Sequence, residues 1–339
     1  MDELVCYRGD RLGGRLLNLL VAWNFARRHK LRLKVVWTDL SMPVIDYTDS
    51  RYDLGNLFDL EATAAQSQDI AFAGPEEIAH YRTYIARDAR KIRTSLRKTR
   101  YVCRDLKDLE SRGHYLFGGW RPLRRPGWTA WGVKRACRRL FSELRLTARV
   151  EAALATLDVG GKTAIHIRRG DLFAYGLKAI ECAQAGDKSQ AHNNFINLYE
   201  KSIPLQTYIA AMDRRRWWEF GKRRYLLFSD SPDVGEKLKA LMPELDIEVF
   251  RDDPSLAPIQ QAFVAVVAMS RCRRIIGGGS VFTRLAAIIG NKPFTHLGRR
   301  LTKQAYVAMI ADEIIPAVAD EDKRADYLKS LPILAEMVT

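Results

Sequence analysis

Apolar residues return along this chain in two rhythms, short strand-length runs and longer helical spacings, with glycine between them. Val5 to Arg8 reads as a first strand, Gly9 to Gly14 as a turn-rich loop, and Arg15 to Lys30 as a helix. That helix carries Leu16, Leu19, Leu20, Trp23 and Ala26 on one face, and Leu31 to Trp37 follows as a strand. Strand, glycine loop, helix and strand in this order predict a βαβ unit and a parallel sheet. The glycine loop is looser than a dinucleotide fingerprint and by itself specifies no ligand.

The middle of the chain is less regular. Phe58 to Ala79 has no clear period, and residues 82–112 are basic with room for a helix. Gly118 to Pro122 and Arg125 to Trp128 punctuate a loop, and Val133 to Leu157 returns to helical spacing. Asp158-Val159-Gly160-Gly161 reads as a linker. Beyond it the strand-to-helix rhythm resumes. Strands are expected at Thr163–Ile167, Tyr225–Phe228, Ile247–Phe250 and Arg274–Ile276. Helices are expected from Leu205 to Met212, Pro232 to Leu241, Pro258 to Arg271 and Val281 to Ile289. The fold class is therefore α/β, with two doubly wound, Rossmann-like domains. Residues 1–157 form the N-terminal domain and residues 162–339 the C-terminal one.

Composition agrees with a folded chain: of 339 residues, 47% are hydrophobic and 28% charged. That length exceeds one ordinary core and suits two. No apolar run is long enough to span a bilayer, and the first residues lack the basic-then-apolar order of a signal peptide, so a cytoplasmic protein is expected. Five scattered cysteines (Cys6, Cys103, Cys137, Cys182 and Cys272), with no Cys-x-x-Cys pair, read as buried thiols rather than as disulfides or a zinc site. The net charge of +15 is concentrated. Residues 82–149 hold 20 Lys and Arg against 5 Asp and Glu, and the rest of the chain is neutral in sum. Such a block, interleaved with Tyr101, Tyr115, Trp120, Trp128 and Trp131, suits an anionic partner: a membrane surface, an acidic or lipid-linked glycan, or nucleic acid. Arg214 to Trp218 is a second basic-aromatic cluster.

Ligands of doubly wound sheets sit at the carboxyl ends of the strands. Three such ends carry suitable chemistry. His166-Ile167-Arg168-Arg169-Gly170-Asp171 feeds two guanidinium groups and a glycine off a strand, and forked arginine donors can clamp a pyrophosphate. Ser229-Asp230-Ser231-Pro232 holds a carboxylate fit for a ribose or base, and serves equally as a helix cap. Gly277 to Arg284 is a glycine loop opening a helix, with Ser280 and Thr283 hydroxyls beside the free N–H groups, an arrangement that suits phosphate. The string Asp320-Glu321-Asp322 follows no strand and reads as a solvated helix start rather than a metal site. The histidines show no ligand spacing, so no metal is expected.

His166 to Asp171 resembles the first motif of the fucosyltransferase superfamily that includes α1,2-, α1,6- and protein O-fucosyltransferases. Phe228 to Pro232 resembles its second motif and Gly279 to Ala286 its third. Gly13, Gly14 and the helix after them resemble its N-terminal start. The likeness is greatest to the rhizobial nodulation-factor α1,6 branch, and covers in patches the first 40 residues or so and residues 163–293.

The resemblance implies a GT-B-like fold, two domains facing across a cleft, with acceptor on the N-terminal side and donor on the C-terminal side. It implies an inverting, metal-independent transfer from GDP-fucose, a co-substrate rather than a cofactor, to a glycan or glycolipid hydroxyl. By motif position, Arg168 contacts the diphosphate and Arg169 assists it or holds the shape of the site. His166, Asp230, Gly279, Ser280, Phe282 and Thr283 line the donor, with Gly13 and Gly14 bordering the cleft. No catalytic base carries over, because the aligned position falls near Gly176. Asp171, Glu181 and Asp187 stand nearby. Two other readings stay open at this point: a nucleic-acid or anionic-surface binder using the basic face, and a catalytically degenerate binding module. No specific nucleic-acid motif is present.

Overall fold

The computed structural model describes residues 3–6, 11–37, 53–78, 114–117, 130–213 and 223–338. The end of the first strand (Tyr7, Arg8), the Gly9–Asp10 turn, the expected basic helix of 82–112, the Gly118–Trp128 loop and the Arg214–Trp218 cluster lie outside them. Contacts divide the chain into two units. One comprises residues 1–158 with Asp252–Arg271 and Leu285–Lys292, the other Val159–Arg251 with Cys272–Arg284 and Pro293–Thr339.

The first unit holds β1 (Glu3–Cys6), α1 (Leu12–Arg28), β2 (Arg32–Val35), α2 (Leu60–Gln66), β3 (Ile70–Phe72), β4 (His114–Phe117), α3 (Ala130–Phe141) and α4 (Ala148–Ala155). Its sheet has the order β3-β2-β1-β4, and every pair is parallel. Helix α1 differs from its expected amphipathic form. It begins at Leu12 and is buried from Leu12 through Ala26, because Leu17, Val21 and Phe25 add apolar groups to the face opposite Leu16, Leu20 and Trp23. Apolar groups on both faces place the helix inside the core, and Arg15, Asn18 and Asn24 are buried with them. Arg27, in its last turn, forks onto Asp69 at 2.6 and 3.0 Å and onto Glu143 at 2.8 Å. These bonds tie the end of α1 to the start of β3 and to the turn after α3. The expected helix of 133–157 is two helices. Leu146 between them bridges to Phe58, and Thr147 begins α4. Helix α9 (Pro258–Arg271) packs in this unit, where the Phe263 ring meets Phe58 edge-on at 5.4 Å.

The second unit contains β5 (Thr163–Ile167), α5 (Gly170–Gln184), α6 (Lys188–Lys201), α7 (Leu205–Asp213), β6 (Arg224–Ser229), α8 (Asp233–Leu241), β7 (Asp246–Val249), β8 (Arg274–Gly277), the start of α10 (Val281–Ile289), β9 (Phe294–His296), α11 (Lys303–Met309) and α12 (Glu321–Val338). Its sheet is parallel throughout, in the order β7-β6-β5-β8-β9. Ile165, Ile167, Leu227 and Ile247 pack on Tyr208 and Met212 of α7 and Val234 and Leu238 of α8. A second core joins α5, α6, α11 and α12 through Leu172, Ile180, Phe195, Tyr306, Ile314 and Leu334.

Gly170–Gln184 and Lys188–Lys201, a stretch with no expected element, form the helical hairpin α5–α6. Asp187 turns the corner by accepting the Gln190 N–H at 3.0 Å. Gly176 lets α5 approach closely, since a β-carbon there would lie 2.6 Å from Ile314 Cδ1. The two units are doubly wound α/β folds, as the alternation of strand and helix required. Cys6, Cys137 and Cys272 are buried thiols and Cys182 is half-buried.

Candidate active site at the carboxyl edge of the second sheet

The chain runs outward from β5 through β6 to β7, then returns to place β8 on the other side of β5. This reversal makes β5 and β8 the switch point, where doubly wound sheets open a crevice for ligand. Register brings the three polar strand ends level: His166 pairs with Phe228 and with Gly277, and Ile167 with Ser229. Residues separated by more than a hundred positions thus end at one edge.

His166 lies one residue before the end of β5, its ring tilted against Phe282 with centroids 5.5 Å apart. Its carbonyl accepts the Tyr208 hydroxyl at 2.8 Å. Burial, and then the neighbouring charge of Arg168, pull the imidazole pKa down to about 4, so the ring is neutral at pH 7. Arg168 follows the strand, half-buried.

Arg169 turns inward and is 3% exposed. Its guanidinium pairs with Glu313 at 2.6 Å and donates to the Ile203 carbonyl at 2.7 Å and the Ser202 hydroxyl at 3.3 Å. Its cationic carbon also lies 5.4 Å from the centroid of the Phe173 ring. These contacts anchor the Arg169 side chain within the fold. Gly170 and Asp171 begin α5.

Asp230, from the end of β6, faces this turn. One carboxylate oxygen accepts the Arg169 backbone N–H at 2.6 Å. A β-carbon on Gly170 would lie 2.5 Å from the other oxygen. The carboxylate therefore sits at the amino end of α5, where the helix dipole favours negative charge. Ser231 donates its own hydroxyl to Asp233 at 2.8 Å, in the first turn of α8.

On the β8 side, Ser280 Oγ accepts the Phe282 N–H at 3.2 Å and so starts α10. Thr283 is fully buried, and its hydroxyl donates to the Ser280 carbonyl at 2.8 Å. Gly277 and Gly278 crowd against Thr283 and Ile203, each 3.1 Å from an added β-carbon. Gly279 lies between this crowded pair and the start of α10.

The structure brings His166, Arg168, Asp230, Ser280, Phe282 and Thr283 to one sheet edge. Gly13 and Gly14 lie in the first turn of α1, at the equivalent strand end of the first unit. Glu181 is held by the Tyr327 hydroxyl at 2.8 Å and Asp187 caps α6. Glu313 and Tyr208 had no signal in the sequence, since neither lies in a motif. Among the described residues no group of three His, Cys, Asp or Glu is arranged to hold a metal ion, and Asp320 caps α12 through the Lys323 N–H at 3.0 Å. No helix among them is long and apolar enough to cross a membrane.

Neither a protein-family model nor a curated protein sequence matches the chain. Solved structures do. A NodZ α-1,6-fucosyltransferase soaked with GDP-fucose is similar with a TM-score of 0.51 at 17% identity, over 85% of this chain and 92% of that one. The fucosyltransferase NodZ from Bradyrhizobium gives 0.51 at 16%, over 89% and 97%. A mutant of Arabidopsis thaliana FUT1 in complex with GDP gives 0.50 at 12%, over 89% and 71%. The chain has a fucosyltransferase-like, GT-B-type fold.

Proposed function

We propose that this protein is an inverting glycosyltransferase that moves a sugar, fucose foremost, from a GDP-sugar to a hydroxyl of a glycan or lipid-linked glycan. The observation that carries the reading is the placement of Arg168 at the β5 end, on the switch point, between the Asp230 and Ser280–Thr283 edges. The fold shared with structures soaked with GDP-fucose or bound to GDP supports it.

In this scheme the second unit takes the donor and the first the acceptor. The acceptor hydroxyl attacks the sugar C1 as the C1–O bond to the diphosphate breaks and GDP leaves. Arg168 meets the charge that develops on the leaving oxygen, a service that binding in the ground state does not require in full. A fixed guanidinium there does the work for which other transferases use a divalent cation, so the reaction needs no metal. Ser280, with Gly279, lies on the phosphate side at the start of α10, and the buried Thr283 supports that turn by donating to the Ser280 carbonyl. His166, Phe282 and Asp230 form the wall toward the nucleoside. Asp171, next after the glycine of the first motif, is the group proposed to take the acceptor proton. Gly13 and Gly14 border the cleft.

The outer face of α3 favours an anionic surface as the place where acceptor is met. Trp131 is 65% exposed with Arg135 5.5 Å from its ring, and Lys134 and Arg139 are exposed beside them. Val133, Cys137 and Leu140 bury the inner face. Aromatic and basic groups on one face suit an anionic bilayer interface.

Calorimetric titration with GDP, UDP, dTDP and ADP, with Mg²⁺ and with EDTA, tests the donor assignment. GDP-selective binding that survives EDTA is expected. Preference for another nucleotide overturns the donor. Binding of none, with nucleic-acid affinity that falls steeply with salt, overturns the enzyme reading in favour of a binding protein.

A further inference from the structure

A buried charged pair of the second unit, Arg169 and Glu313, lies behind the candidate site rather than in it. Glu313 belongs to a π-helical turn, Ile310–Ile314, that continues α11. Pro316 follows, and without an N–H it cannot extend a regular ladder back to Asp312. The widened turn aims Glu313 inward, where its two oxygens do different work. Oε2 pairs with the Arg169 guanidinium at 2.6 Å, and Oε1 accepts the Leu205 backbone N–H at 2.6 Å. Tyr306, one helical stretch earlier, donates its hydroxyl to the Ser202 carbonyl at 3.0 Å. The C-terminal helices therefore clasp the Ser202–Leu205 loop and Arg169 together.

The other side of the same turn is held independently. Asp230 takes the Arg169 N–H, which belongs to the peptide joining Arg168 to Arg169. Tyr208 donates its hydroxyl to the His166 carbonyl. With the side chain of Arg169 fixed by Glu313 and its peptide fixed by Asp230, the backbone that carries Arg168 is restrained in direction. Burial raises the Glu313 carboxyl pKa, and the Arg169 charge offsets only part of the rise.

We propose that Glu313 is a positioning residue: through its ion pair with Arg169 it sets the orientation in which Arg168 meets a diphosphate. This rests on the donor reading above and adds to it a residue from the π-helical turn far along the chain. π-turns interrupt helices at functional positions often enough to fit such a role.

The test is a double-mutant cycle read by GDP affinity in EDTA, on the full chain: wild type, Glu313→Gln, Arg168→Ala, and the double variant. Gln keeps an acceptor for the Leu205 N–H and removes the charge that holds Arg169. Glu313→Gln is expected to weaken GDP binding about 10-fold with Arg168 present and less than about 2-fold with Arg168 absent, because misplacing a clamp matters only while the clamp exists. Equal weakening in both backgrounds, or none in either, overturns the proposal and leaves Glu313 as a packing residue. If Glu313→Gln does not fold, Arg169→Met/Glu313→Leu replaces it in the same cycle, since removing both members of a buried pair spares stability. A wild-type protein that binds no GDP removes the donor reading itself, and Glu313's role with it, an outcome distinct from a cycle that closes without coupling.

Discussion

Gly170 and Asp230 share one space. A β-carbon on Gly170 would stand 2.5 Å from Asp230 Oδ2, while Asp230 Oδ1 holds the Arg169 N–H at 2.6 Å. The glycine of the first motif is thus a requirement of the carboxylate of the second. Gly170→Ala must push the carboxylate off the turn, and is expected to cost about 1–3 kcal/mol of stability. Asp230→Ala, which removes a helix-terminal acceptor, is expected to cost about 1 kcal/mol. Denaturant unfolding of both variants checks this. A fully stable Gly170→Ala would mean that the two groups do not compete.

Arg168 carries the chemistry in the proposed reaction. Arg168→Ala is expected to lower transfer, or donor hydrolysis, by about 100-fold or more, the scale of losing a charge-stabilising donor in a closed site. Its circular dichroism and melting temperature should match the wild type. An active Arg168→Ala protein would sink the mechanism.

His166 gives stability a pH dependence of known sign. Its folded pKa is lowered to about 4 from 6.5. The unfolded chain therefore binds a proton that the native state refuses between these values. The contribution is fully present above about pH 6.5 and is lost as pH falls toward 4. Melting temperatures from pH 7 to pH 4 should fall more for the wild type than for His166→Gln. Parallel curves would show that the ring titrates normally.

Cys137 is a packing residue of α3, and burial pushes its thiol up to about 12. Iodoacetamide at pH 8 should leave Cys137 unmodified in the native protein and label it on unfolding, as peptide mass mapping would record. Rapid native labelling would contradict the burial of α3.

Much of this molecule is legible in its residues taken locally. The bounds of α9 and α10 match the expected Pro258–Arg271 and Val281–Ile289, and β5 matches Thr163–Ile167. In each, a proline or glycine marks the edge of an apolar run of fitting length. The three polar strand ends were visible because glycine, arginine and hydroxyl residues follow apolar strands directly. The hairpin α5–α6 was not. Its apolar positions are interrupted by Lys, Asn, Gln and Glu on the faces turned to solvent, and the packing that steadies it comes from Tyr306, Ile314 and Leu334 far along the chain.

By itself, then, the sequence determined the alternation of strand and helix, the parallel sheets, and which strand ends carry polar chemistry. All of these follow from spacing within a few residues, where backbone propensity and side-chain period act. Only the tertiary structure decided that β8 returns beside β5, that α9 packs with the first unit, and that Arg169 is taken by Glu313 while Asp230 holds its backbone. These depend on contacts between residues about sixty to more than a hundred positions apart. Such contacts form because the whole chain must bury its apolar faces at once, and no local pattern records the partner that burial supplies.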